Sequence, residues 1–392
     1  MNSIILTFNA YDTSTKVTSQ HLAEYLLANN FKVLYVSDAV SPFHLLKFNR
    51  FKSNFSRIIS SFLTIDDHQK FISLTPFALL PVENIFPFNL KVCSDFHVPS
   101  LSYHFKKSIN NFLGINKYFD LIWINNPKYY GLTEKLNYEK LVYSIEDDLF
   151  EFSRIPKSLK YNHEKLIQKA DIVTVTSEPL FKQIKSFFPI NNKLILLRNG
   201  VSFEQFNQIT DPNLNLNLIS EFQFIPEPRI TYIGVISEWF DLDLLYQAAN
   251  SLPNCSFVII GPVEISIDKV KGLSNIYFLG SKPHSIIQMY LQNSQIGIIP
   301  FLRTKLIESV NPIKLYEYMA AGLPVVSTSW DELENLGSPA FLAKDNNEFI
   351  EYINNILTEN NLIDRQLLVN FAKSNTWKNR FTQLMKVLDF IS

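Results

Sequence analysis

Short apolar runs, separated by stretches of helical spacing, recur along the whole chain. They fall at 4–8, 32–36, 121–124, 141–144, 172–176 and 194–197, then at 230–233, 256–260, 276–279, 296–299 and 325–327. Between them, 19–29, 242–251 and 286–293 carry a helical pattern. Apolar runs alternating with helices predict parallel sheets covered on both faces, hence an α/β chain. Ligands in such folds collect at the carboxyl ends of strands. No internal repeat is evident. The stretch 207–228 holds Asp211-Pro212, Asn213, Asn215, Asn217, Pro226 and Pro228, and reads as a linker. Two domains are therefore expected, at 1–205 and 206–375, followed by an amphipathic helix at 376–392.

The length of 392 residues and a hydrophobic share of 46% suffice for two cores. A net charge of −1 gives no sign of a nucleic-acid binder. The 33 phenylalanines and 17 tyrosines are mostly core, with some left to line a cleft or touch lipid. Cys93 and Cys255 fall in different expected domains, so no disulfide framework is expected and a reducing cytoplasm fits. The chain opens into Ile4-Ile5-Leu6-Thr7-Phe8 without a basic leader, which reads as a buried strand and not a signal peptide. No apolar run reaches membrane-spanning length. Only Gly114 and Gly131 precede residue 200; later glycines stand at strand ends (Gly234, Gly261, Gly280), where backbone can approach a ligand. The second half is the expected nucleotide side.

The richest stretch runs from Glu308 to Glu334. A polar loop (Ser309, Val310, Asn311, Pro312) leads into a helix at 313–321, Gly322 stops it, and a buried strand follows at 324–328. A helix opening this way presents backbone N–H groups to an anion. Lys314 adds a positive charge in its first turn, and Glu317 lies three residues on. Amides and a lysine suit a diphosphate; a carboxylate suits sugar hydroxyls.

This segment resembles the nucleotide-binding signature of GT-B glycosyltransferases, especially retaining family 4. There a glutamate, a small-residue helix, Gly-x-Pro and Val-Val hold the donor nucleotide. Here the text is Glu317-Tyr-Met-Ala-Ala-Gly-Leu-Pro-Val-Val. The form N-P-x-K-L-Y-E-Y is common in a bacterial branch that builds surface polysaccharides of the teichuronic-acid type. Ala170-Asp171-Ile-Val-Thr-Val-Thr-Ser177 and Leu197-Arg198-Asn199-Gly200-Val201 look like the end of a GT-B first domain. Ile259-Ile260-Gly261-Pro262, Asn275 to Gly280 and Ile298-Ile299-Pro300-Phe301 look like its second. The resemblance implies two Rossmann-like domains facing a cleft, with the last helix crossing back to the first. It also implies sugar transfer from a nucleotide-diphospho-sugar (UDP- or GDP-sugar) to a glycan or lipid-linked acceptor, with retention and without a metal or other cofactor.

On that resemblance Glu317 contacts the ribose and Lys314 the phosphates, while Ser309, Val310 and Asn311 give mainly backbone donors. Gly234 to Ser237 form a turn at the donor site, Gly261 ends the next strand, and the turn Ser281-Lys282-Pro283-His284 sits where the base binds. Two departures stand out. The glutamate that family 4 often places eight residues before Glu317 is replaced by Ser309, with Glu308 one place off; Glu308 is either a donor-sugar contact or a solvated loop charge. The Arg and Lys that often follow the first strand of the second domain are absent from Gly234-Val-Ile-Ser237-Glu238-Trp239-Phe240-Asp241. Diphosphate charge then falls to helix N-termini, Lys314 and Arg303 or Lys305. These departures also admit a non-catalytic GT-B-like nucleotide-binding or scaffold subunit.

In the first domain, Tyr143-Ser144-Ile145-Glu146-Asp147-Asp148 puts three acids at a strand end. Asp147 and Asp148 are the candidates for gripping acceptor hydroxyls or orienting the leaving group; the plainer reading is acids at a helix start. Asp241-Leu242-Asp243 reads as a helix cap and not a metal-binding D-x-D. The histidines show no ligand spacing, no G-x-G-x-x-G follows the first strand, and no nucleophile elbow occurs. The stretch 44–63 repeats phenylalanine and isoleucine at helical spacing among Lys47, Arg50, Lys52 and Arg57. It is either a core-packed helix with a basic face or a face leaning on anionic lipid, which would place the chain peripherally at the inner membrane.

Overall fold

The structure is a computed structural model that describes residues 1–13, 16–46, 55, 59, 70–115, 117–208, 219–359 and 364–390. The basic stretch 44–63 lies outside these apart from 44–46, 55 and 59, as does 209–218 of the expected linker. Two compact units result: Met1–Thr13 with Val17–Leu197 and Val387–Ser392, and Ser14–Lys16 with Arg198–Lys386. The boundary thus falls ahead of 205. Phe203 and Phe206 join the second unit's core, and Asn199 bonds to Asn311 there. Helix Trp377–Val387 belongs to the second unit as far as Lys386, tied by Trp377 N–H to Val201 O at 3.2 Å.

The first unit is built on β1 (Asn2–Leu6), β2 (Lys32–Val36), β3 (Phe71–Leu74), β4 (Phe119–Ile124), β5 (Tyr138–Ile145), β6 (Ile172–Val175) and β7 (Leu194–Leu196). They form one parallel sheet in the order β3-β2-β1-β4-β5-β6-β7. Ile4 on β1 stands opposite Leu34 on β2 and Ile122 on β4, all fully buried. Apolar side chains on both faces of these strands are what a parallel sheet under helices requires.

The second unit repeats the plan with β8 (Arg229–Ile233), β9 (Ser256–Ile260), β10 (Ile276–Gly280), β11 (Ile296–Ile299), β12 (Val325–Thr328) and β13 (Phe341–Ala343). Its parallel order is β10-β9-β8-β11-β12-β13. In both sheets the chain order reverses beside the first strand, between β1 and β4 and between β8 and β11. At such reversals the connections leave to opposite sides and open a crevice at the carboxyl ends.

At the carboxyl ends of β8 and β9, backbone packs on backbone. Gly234 donates its N–H to Ile260 O at 2.8 Å, and Gly261 donates to Gly280 O at 2.9 Å. Gly261 has φ +146°, and a Cβ there would collide with the Gly234 carbonyl oxygen. Gly261→Ala is therefore expected to cost at least about 2 kcal/mol through backbone strain and overlap. Thermal melting checks this; an unchanged melting temperature would mean that the two turns are free to separate.

Candidate functional site

Helix Ile313–Ala320 carries the centre of the second unit's site. Pro312 opens it, and Leu315, Tyr316, Tyr318 and Met319 bury one face completely. Tyr318 accepts Ile233 N–H at 2.8 Å, which clamps the helix to the end of β8. Lys314 leaves the first turn towards Gly234: a Cβ on that glycine would lie 3.0 Å from Lys314 Nζ. The ammonium nitrogen stands 4.7 Å from the Tyr232 ring centre and 4.4 Å from that of Phe301, and donates to Tyr232 Oη at 3.4 Å. Burial pushes its pKa down to about 7, with Glu317 only partly opposing. Such a cation has little water to lose when an anion arrives.

Glu317 is 9% exposed, and its Oε1 lies 3.1 Å from His284 Nε2. His284 is itself held from behind. Gln205 Nε2 donates to the His284 carbonyl at 3.2 Å, which identifies that atom as the amide NH2. The same atom faces His284 Nδ1 at 3.2 Å, so Nδ1 accepts and the ring proton lies on Nε2, pointing at Glu317. The carboxylate is thus oriented through two side chains from separate segments. The sequence marked the turn 281–284, but nothing in it revealed this contact.

The loop before the helix is held by a buried polar network. Asn311 Nδ2 and Arg198 Nε both donate to Glu332 Oε1 at 2.8 Å, and Glu332 is fully buried. Asn199 N–H and Tyr316 Oη donate to Asn311 Oδ1 at 3.1 and 3.0 Å, while Asn199 Nδ2 donates to Asn311 O at 2.6 Å.

Several expected donor residues are already engaged. Val310 spends its N–H on Ile307 O at 2.9 Å, and its carbonyl accepts Trp330 Nε1, so it is not an open backbone donor. Ser309 is buried, with Oγ donating to Leu306 O at 3.2 Å. Lys282 pairs with Glu221, which also accepts Tyr290 Oη at 2.6 Å; the lysine supports the fold beneath the turn. Arg303 donates to Ala343 O at 2.9 Å. Ser237 donates to Glu264 Oε2 at 3.2 Å. Glu308 ends the four-residue helix Lys305–Glu308 and is exposed. Asp241 caps helix Leu242–Ser251 by accepting Leu244 N–H at 2.8 Å.

The first unit has a cavity of about 550 Å3 at its own reversal point, where β1, β4 and β5 end. Glu146 and Asp147 line it, but Asp148 does not. Asp148 turns away and accepts Gln183 Nε2 at 3.1 Å, so the residue facing the cavity beside Asp147 is Glu146. Burial pushes both carboxyls up to about 7. Asn125 Nδ2 donates to Glu146 Oε1 at 3.0 Å and pulls it back in part, whereas Asp147 is raised further by Glu146.

Residues 227–359 match the family model described as "Glycosyl transferases group 1". Over 286 residues the chain is 26% identical to the "Putative teichuronic acid biosynthesis glycosyltransferase TuaH" of Bacillus subtilis (strain 168), covering 68% of this chain and 70% of that protein. Among solved structures, Anabaena HepE in complex with UDP and glucose superposes with a TM-score of 0.67 at 14% identity, covering 100% of both chains. The sucrose-phosphate synthase of Thermosynechococcus elongatus gives 0.65 at 16% identity, covering 99% of this chain and 96% of that one. Two parallel α/β units and these matches together make the chain a glycosyltransferase of the GT-B fold, with a group 1 domain in its second unit.

Proposed function

We propose that the chain moves a sugar from a nucleoside-diphospho-sugar to a glycan or lipid-linked acceptor, retaining anomeric configuration and using no metal ion. One observation carries the reading: at the carboxyl ends of β8 and β9, Lys314 meets Gly234 and Gly234 packs on Gly261, three segments far apart in sequence, with Glu317 one turn along the same helix as Lys314. Lys314 meets the diphosphate, Glu317 the ribose diol, and the two glycines let the backbone approach. The loop at Ser309 and Asn311, the turn at Ser237 and the exposed Glu308 complete the donor side. Asp147, with Glu146, serves the acceptor side. Support for a uridine nucleotide comes from HepE, whose solved complexes hold UDP and glucose. Support for a surface polysaccharide as product comes from the name of the Bacillus relative. Among the described residues no helix is long and apolar enough to cross a membrane.

Catalysis of this kind depends mainly on stabilising charge that develops on the departing diphosphate, by groups fixed in place beforehand. Lys314, caged by two rings, is such a group. Thermal shift against UDP, GDP, ADP, CMP and TDP tests the reading, with Glu317→Ala in parallel. At about a hundred times its Kd a ligand stabilises by roughly 2.7 kcal/mol. UDP is expected to raise the melting temperature of the wild type and not of the variant. No shift with any nucleotide would end the donor assignment.

A further inference from the structure

The first unit's cavity has a charge pattern that restricts what it accepts. Among the described residues its acidic lining groups are Asp38, Glu83, Glu146 and Asp147, and its cations are Lys128 and Arg154. Asp38 is already answered: Lys128 Nζ donates to it at 2.7 Å and Asn126 Nδ2 at 3.2 Å. The imidazole of His44 brings Glu83 a hydrogen bond without a charge, because Ser41 N–H donates to His44 Nδ1 at 2.8 Å and so leaves the ring proton on Nε2, 2.9 Å from Glu83. Glu146 and Asp147 therefore set the character of the floor, with the exposed Arg154 as their cation. Beside them Asn125, 8% exposed, has an Oδ1 with no hydrogen-bond partner among the described residues. Phe8, Val82, Ile85 and Phe152 supply apolar wall.

We propose that this cavity takes an uncharged, hydroxyl-rich sugar unit of the acceptor and turns away uronate and phosphate groups, a specificity that rests on the transferase reading. Sugar hydroxyls both donate and accept, so they satisfy Glu146, Asp147 and Asn125 whichever carboxyl holds a proton. The C–H faces of the ring suit the phenylalanine walls. A second anion would enter a half-buried space beside two carboxyls, where like charges repel with little screening. With both pKa values near 7, an anionic guest would be met either by repulsion or by the cost of protonating the pair.

Saturation-transfer NMR on the intact chain tests this with methyl β-glucoside, the matching glucuronide and glucose 1-phosphate, each with and without UDP. The neutral glycoside is expected to bind at least about tenfold more tightly than either anion. Asp147→Asn, and Glu146→Gln with Asp147→Asn, should narrow that gap; thermal melts confirm that each is folded, and the single variant decides if the double one is not. Equal binding of the glucuronide or phosphate, no binding of the glycoside, or its displacement by UDP each overturns the proposal. The UDP arm separates the two readings: missing UDP binding with the sugar preference intact counts against the donor site alone.

Discussion

Lys314→Met is expected to lower kcat/KM for the nucleotide-sugar by about 10²–10³-fold, the usual cost of deleting one prearranged donor to a developing anion. Methionine preserves length and apolar contact, so the rings of Tyr232 and Phe301 keep a neighbour and the helix its packing. What disappears is the charge. In the free protein burial holds the lysine pKa near 7, far below its ordinary value. A bound diphosphate favours the ammonium and raises that pKa again, so nucleotide binding above pH about 7 takes up a proton and weakens as pH climbs. Titration calorimetry in two buffers of different ionisation enthalpy measures this uptake, and the methionine variant should lack it. Stability moves in the opposite sense. Between about 7 and the ordinary lysine range the unfolded chain binds a proton that the folded one does not, so this lysine makes folding more favourable as pH rises; the methionine variant loses that slope. A loss under about tenfold, with no change in proton uptake, would reduce Lys314 to a packed core cation.

The central strands were legible because each is a run of residues buried on both faces. The two missed strands lie at sheet edges. Phe71–Leu74 alternates between buried and open positions, and Phe341–Ala343 has three residues, too few to separate from loop. The helix Ile313–Ala320 was legible for a local reason: Asn-Pro before it and Gly322 after it fix its ends whatever surrounds it. Contacts that orient the site were not local. Glu332 meets Arg198 across 134 residues, and Gln205 meets His284 across 79. Neither pair leaves a periodic trace. Among Glu146, Asp147 and Asp148, the turn after β5 decides which carboxyls face the cavity, and three consecutive acids carry no mark of it. The same holds for Val310, expected through its backbone N–H, and for Lys282, expected in the turn at the base: their bonds go to Ile307 and Glu221.

Glu332→Ala is expected to destabilise the second unit by about 3–5 kcal/mol, the range for removing one partner from a buried, hydrogen-bonded ion pair. The side chain is fully buried and joins Arg198, from the segment after β7, to Asn311, from the loop before the helix Ile313–Ala320. Deleting it strands the guanidinium and frees the Asn311 amide at once. A single domain has only about 5–15 kcal/mol in total, so the variant should sit near its folding threshold. Because two units need not unfold together, a single melting curve would blend them. Hydrogen exchange on peptides from β8 to β12 isolates the second unit, and peptides from β1 to β6 serve as an internal control that should not change. Glu332→Gln retains an acceptor for Arg198 Nε but loses the charge, so it should fall between wild type and alanine. Nucleotide affinity should drop in both variants, since Asn311 positions the loop that leads into Lys314. A change under about 1 kcal/mol would show that water or a neighbouring acceptor takes over from the carboxylate. Full stability loss with unchanged nucleotide affinity would show that the network holds the fold alone, and that the helix Ile313–Ala320 finds its place by apolar packing.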